Sequence, residues 1–108
     1  MGFSNWLLCD FHIHTNMSDG SFSLRDIVDL YGRTGFDIIA ITDHIFDSNY
    51  LRKLKKRGTK VPSILRENFK EYVKLLKEEQ SRAWKEYKML VIPGFEITNN
   101  TAYLSKPP

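Results

Sequence analysis

Apolar positions along the chain change period several times, and each change marks an element. From Trp6 to His14 the pattern alternates, with Leu7, Cys9, Phe11 and Ile13 apolar and Asp10, His12 and His14 among the residues between them. Such alternation predicts a strand with one buried face. Asn16-Met17-Ser18-Asp19-Gly20 then supplies turn chemistry. Leu24, Ile27, Val28 and Tyr31 fall at i, i+3, i+4 and i+7 behind Ser23 and Asp26, which resemble a capping box, and Gly35 offers a stop. This predicts a short helix. Asp37 to Thr42 is a nearly continuous apolar run, as in a strand of a parallel sheet buried on both faces. A helical period carried by Leu65, Phe69, Tyr72, Val73, Leu76, Ala83, Trp84 and Tyr87 predicts a long helix from Ser63 to about Tyr87, with Pro62 at its start. Met89 to Ile92 reads as a third buried strand, stopped by Pro93-Gly94.

Asp43 to Pro62 lacks a clear period, and so long a structureless stretch is unusual inside a compact domain. A short basic helix near Tyr50 to Arg57, closed by Gly58, is expected within it, the remainder being a lid or surface excursion. The element order β-α-β-excursion-α-β implies an α/β fold with parallel strands, either an open sheet or a barrel. Three parallel strands leave two unpaired edges. The chain therefore reads as the front part of a larger unit.

Composition narrows the class. The chain has 108 residues, 42% hydrophobic and 27% charged, enough for one core. Fourteen aromatic residues argue against disorder, and Cys9 alone cannot form a disulfide within the chain. No apolar run approaches the roughly 20 residues of a membrane span. No secretory leader is evident, and Trp6 stands where an N-terminal acylation signal needs Ser or Thr. A cytoplasmic protein is expected, so Asn99-Asn100-Thr101 is read as an incidental glycosylation match. The net charge of +3 is local: Arg52, Lys53, Lys55, Lys56, Arg57, Lys60 and Arg66 lie in a segment without acids, and the rest is mildly acidic. Such a segment is either a solvated surface or an attractor of phosphates.

All three histidines fall at strand ends. His12 and His14 close the first strand with Asp19 in the turn behind, Asp43 and His44 follow the second, and Glu96 follows the third. Loops at the carboxyl ends of parallel strands converge, so these groups should meet. In His12-x-His14 both imidazoles leave one face of a strand about 6.5–7 Å apart, a spacing that suits one metal between them. Borderline ions such as Zn²⁺, Fe²⁺ and Mn²⁺ accept imidazole, and Asp19 and Glu96 add anionic oxygens that offset repulsion between neighbouring cations. Taken singly, each residue is ordinary: a structural His, a turn Asp-Gly, an N-capping Asp43, a loop acid. Their coincidence on three successive strands points to metal. Cys9 is expected in the core, facing away from the histidines.

Four segments carry a family resemblance: Asp10-Phe11-His12-Ile13-His14-Thr15, Ser18-Asp19-Gly20, Ile41-Thr42-Asp43-His44, and Pro93-Gly94-Phe95-Glu96. In order and spacing they resemble the first three motifs of the PHP (polymerase and histidinol phosphatase) family, from about residue 7 to 99. The resemblance implies a distorted (β/α)7 TIM-like barrel with three divalent ions (Zn, Mn or Fe) and phosphoester hydrolysis. Carried over, His12 and His14 hold the first metal, Glu96 bridges the first and second, and Asp19 with His44 holds the third. Asp10 and Asp43 are expected to orient imidazoles, with Thr15 and Thr42 as further support. The family's remaining ligands lie beyond the third strand, and no His follows His44. Residues 1–108 are therefore expected to be a partial PHP domain, its first three βα units, and a piece of a longer polypeptide rather than a degenerate remnant. Alone it should bind metal weakly and show little activity.

The leading expectation is a metal-dependent phosphoesterase acting on a phosphorylated small molecule or a nucleic-acid end, with the basic segment as a phosphate-attracting lid. An amidohydrolase-type hydrolase also opens with His-x-His on its first strand, but Asp43-His44 and Glu96 fit it less well. A catalytically inert metal-binding or regulatory PHP module is the third reading. Oligomeric state is left open.

Overall fold

The computed structural model describes residues 6–58 and 61–98. Three parallel strands form one sheet in the order β1 (Cys9–Ile13), β2 (Ile38–Phe46), β3 (Leu90–Thr98). Helices α1 (Leu24–Thr34) and α3 (Phe69–Tyr87) make the two crossovers, and a short helix α2 (Ser48–Lys56) leaves the end of β2. The sheet's Ile13, Ile39, Ile41 and Val91, with Met89 just before β3, meet Leu24, Ile27 and Val28 of α1 and Tyr72, Leu76 and Ala83 of α3 in one core. Both crossover helices therefore cover the same face. The opposite face is left open, with Leu90 and Ile92 51% and 44% exposed. No described helix is long and apolar enough to cross a membrane.

Local chemistry explains α1. The Ser23 hydroxyl accepts the Asp26 N–H at 3.1 Å, and Gly35, at φ 94°, returns its own N–H to Gly32 and Tyr31. The residue pattern predicts both ends correctly. The start of α3 differs from expectation: the helix begins at Phe69, after a 3₁₀ turn at Arg66–Asn68, and not at Ser63. The intervening residues are drawn to β2. Ser63 Oγ accepts the Phe46 N–H at 3.0 Å, and the Ile64 N–H donates to the His44 carbonyl at 2.8 Å. Leu65 is itself extended, at φ −103° and ψ 160°, so helical backbone begins only after it. Within the Asp43–Pro62 stretch, α2 forms two residues earlier than expected, with Asp47 accepting the Tyr50 N–H at 2.9 Å and Gly58, at φ 69°, just past its end.

β2 and β3 run further than the apolar runs suggest. Register continues through Thr42↔Gly94 and His44↔Glu96 to Phe46↔Thr98, so Asp43, His44 and Glu96 sit within strands and not after them. Pro93 does not stop β3, because among the described residues β3 is an edge strand, where a missing N–H is tolerated.

β1 departs from strict alternation. Asp10 pairs with Ile39 and Ile13 with Ile41, so β1 advances three residues while β2 advances two. The extra residue is a bulge and reverses the facing of what precedes it. Asp10 consequently shares the helix-covered face with Ile39 and Ile13, while Cys9 pairs with Ile38 on the open face and is only partly buried. The expectation that Cys9 lies in the core, facing away from the histidines, is corrected by this bulge.

One polar cluster joins the two helices. Arg82 of α3 donates to Glu79 at 2.7 Å, to Asp29 of α1 at 2.7 Å and to the Arg25 carbonyl at 3.2 Å, and the Tyr87 hydroxyl donates to Asp29 at 2.7 Å. Glu79 is buried in the apolar stripe of α3, which is possible because the guanidinium meets it with two nitrogens.

Candidate metal centre

The open face of the sheet carries the polar groups at its carboxyl end. His12 and His14 project there beyond the bulge, and the His44↔Glu96 pairing places those side chains on the same side. Thr42 secures β1 where the bulge interrupts the ladder: its hydroxyl accepts the Ile13 N–H at 3.2 Å and lies 3.4 Å from the Ile13 carbonyl. Asp19 reaches the same place from the following turn. An added Cβ at Gly20 would collide with the main chain of His14 and Thr15, so only glycine lets the turn pass so closely.

Five donors converge. His12 Nε2 lies 2.5 Å from Glu96 Oε1 and 3.2 Å from His14 Nε2, which is itself 3.3 Å from the same oxygen. His14 Nδ1 lies 2.7 Å from Asp19 Oδ1. His44 meets Asp19 Oδ2 through Nε2 and Glu96 Oε2 through Nδ1, both at 3.0 Å. Two groups follow, His12/His14/Glu96 and His14/Asp19/His44, with ligand atoms within 4.8 Å of one another in each. The carboxylate of Glu96 spans them, one oxygen toward His12 and His14 and the other toward His44. The His12 and His14 rings are 4.9 Å apart, closer than strand spacing alone implies, because the side chains lean together.

The donor set could hold a cation. Two carboxylates lie among three imidazoles, and facing Nε2 lone pairs repel unless a proton or a cation lies between them. Partial burial works against the Glu96 charge, but its hydrogen bond to His12 and the nearby His44 and His14 outweigh this and hold the carboxyl below its ordinary pKa. A neutral imidazole has one N–H, so the 2.7 Å contact to Asp19 suits a proton on His14 Nδ1 with Nε2 left as ligand. His12 is 68% exposed, whereas His14 and His44 are at most 19% exposed, so the cluster opens to solvent on the His12 side.

Asp10 and Asp43, expected to orient imidazoles, accept hydrogen bonds from main-chain N–H groups and hydroxyls. Asp10 accepts the His12 N–H at 3.0 Å and the Tyr31 hydroxyl at 2.6 Å. Buried Asp43 accepts the Thr15 N–H at 2.6 Å, the Thr15 hydroxyl at 2.9 Å and the Ser18 hydroxyl at 2.5 Å. The reason is strand phase: both carboxylates point to the helix side, while the imidazoles point to the open side. Together they anchor the segments that deliver His12, His14 and Asp19. Ser18 and Tyr31 belong to this support. Ser18 lay visibly in the Ser-Asp-Gly turn, whereas nothing local marked Tyr31 as anything but a core residue. Burial and the Asp10 carboxylate push the Tyr31 hydroxyl up to about 12, so it remains a donor at neutral pH.

The PHP domain model matches residues 10–105, and the chain belongs to that family. Its members are typically metal-dependent phosphoesterases. A curated relative, the DNA polymerase/3'-5' exonuclease PolX of Bacillus subtilis (strain 168), is 42% identical over 43 residues. The aligned region covers 40% of this chain and 7% of that relative's length.

Proposed function

We propose that this chain forms part of the metal centre of a phosphoester hydrolase, with His12 and His14 holding one divalent cation, Asp19 and His44 another, and Glu96 bridging toward a further ion. The observation that carries the reading is the convergence of three imidazoles and two carboxylates from three strands and one turn. We also read residues 1–108 as the first three βα units of a TIM-like barrel. Both crossover helices lie on one face of a sheet in sequential order, as a singly wound barrel requires, and the open apolar face would become barrel interior.

Divalent cations bound here would supply Lewis-acid polarisation of the phosphoryl group and acidify water. The chain's own residues then have distinct tasks. Glu96 and Asp19 balance charge, Asp19 fixes the tautomer of His14, and Asp43 and Asp10 hold the backbone in place. The exposed His12 side is where a phosphoryl oxygen can approach.

The test is metal content by elemental analysis, together with competition against a chromophoric chelator, for the wild type, His14→Ala and Glu96→Ala. Each variant is expected to lose bound metal while keeping its far-UV circular dichroism. Wild-type metal content in both would overturn the assignment. Parallel assays of a longer polypeptide on phosphate monoesters and cyclic amides decide the chemistry.

A further inference from the structure

Helix α2 has two unlike sides. Tyr50, Leu51 and Leu54 are half-buried, and Leu51 lines a cleft with Ile45, Phe46, Ile64, Leu65 and Phe69. Asn49, Arg52, Lys53 and Lys56, at i, i+3, i+4 and i+7, line one exposed groove, and Lys55 and Arg57 are exposed beside it. Among the described residues, the ion-paired carboxylates meet histidines or Arg82, and none meets a cation of α2. Like charges three and four residues apart oppose the helix, a cost that a bound polyanion relieves.

The helix is also placed next to the metal centre. The His44 ring lies 5.6 Å from that of Phe46, which lies 4.9 Å from Tyr50 in the first turn of α2. From Asn49 to Lys56 the basic face then extends roughly 10 Å along the helix, at about 1.5 Å per residue. One phosphate at the metal centre cannot touch that length, whereas a strand bearing a phosphate at every nucleotide can. Tyr50 packs edge-on against Phe46 and is half-buried, and the groove itself is lined by Asn49, Arg52, Lys53 and Lys56, so the contacts it offers suit backbone phosphates.

We infer that the Asn49/Arg52/Lys53/Lys56 face of α2 is a track for the sugar-phosphate backbone of a single nucleic-acid strand whose end reaches the metal centre. The inference rests on the phosphoesterase reading and names its substrate class. Recognition through phosphates makes binding tolerant of sequence and sensitive to salt.

The test compares the triple variant Arg52→Gln/Lys53→Gln/Lys56→Gln with a control, Lys74→Gln/Lys77→Gln/Lys85→Gln, which removes the same charge from exposed positions of α3. Glutamine keeps helix propensity close to that of lysine or arginine. Fluorescence anisotropy follows a labelled oligothymidylate of about twelve nucleotides. Thymidine 5′-monophosphate and elemental analysis provide the comparisons. The α2 variant is expected to bind the oligonucleotide at least about tenfold more weakly, and its salt slope should fall by about 2, at roughly 0.7 for each phosphate no longer neutralised. Mononucleotide affinity and metal content should not change. Equal weakening in both triple variants, an α2 variant that binds like wild type, or an equal weakening for the mononucleotide would each overturn the track. Failure of the metal reading looks different: the wild-type protein would bind no metal, whatever α2 does to strand affinity.

Discussion

Removing the Asp43 carboxylate tests how the candidate metal centre is held together. Asp43 is fully buried and accepts three hydrogen bonds, from the Thr15 N–H, the Thr15 hydroxyl and the Ser18 hydroxyl. Hydrogen bonds to a charged group contribute about 1.5–3 kcal/mol each, but they share one acceptor and do not add. In Asp43→Ala the Thr15 N–H, itself in a fully buried residue, loses its acceptor, a penalty of about 1–3 kcal/mol. With the poorer packing, a destabilisation of about 3 kcal/mol is expected, a large share of a typical 5–15 kcal/mol. Asp43→Asn keeps the shape but replaces one accepting oxygen with an N–H₂ group that faces existing donors, so about 1–2 kcal/mol is expected. Because the turn held by Asp43 leads to Asp19, metal affinity should also drop about 10–100-fold in Asp43→Ala. Urea unfolding and chelator competition measure the two effects. An Asp43→Ala protein with the wild-type urea midpoint refutes the anchoring argument. Lowered stability with unchanged metal affinity refutes the link to Asp19.

Two further outcomes concern the helix layer. The Arg82 and Tyr87 hydrogen bonds hold Asp29 below its ordinary carboxyl pKa of 3.8, so the unfolded chain binds a proton at higher pH than the folded one. The stabilisation is present above 3.8 and is lost as pH falls through the folded value; the gap in urea midpoint between wild type and Asp29→Asn should close over that acid window. A gap independent of pH would show that the ion pair is not its source. Gly32 lies against the Tyr87 ring, where an added Cβ would overlap ring atoms. Gly32→Ala gains about 1 kcal/mol of helix propensity but meets an overlap costing about 1–3 kcal/mol, so net destabilisation is expected. A double-mutant cycle with Tyr87→Leu should reveal the coupling, and strictly additive effects would contradict it.

Most of the architecture was legible in local pattern. Three strands, two crossover helices and the basic helix follow from changes of apolar period, and Ser23 and Gly35 mark the ends of α1 as read. The candidate ligands were legible for a different reason: three histidines and two acids at the ends of successive strands can converge if the strands are parallel. Element limits were less legible. Thr42, Asp43 and His44 look polar enough to end a strand, yet the pairing of β2 with β3 continues past them.

The amino-acid order by itself determined which groups are available and roughly which element carries each. Only the tertiary structure decided which way they face and what they touch. One extra residue in β1 turns Asp10 toward Tyr31 and Cys9 toward the open face, and no periodicity within that strand predicts a bulge defined against its neighbour. Asp43 and Asp10 became anchors of backbone for the same reason. Glu79 lies buried in an apolar stripe because Arg82, also bonded to Asp29 53 residues away, compensates its charge. Hydrophobic period reports which side of an element seeks cover. Hydrogen bonds and ion pairs depend on register and on partners distant in the chain, and those exist only once the sheet and its helices have assembled.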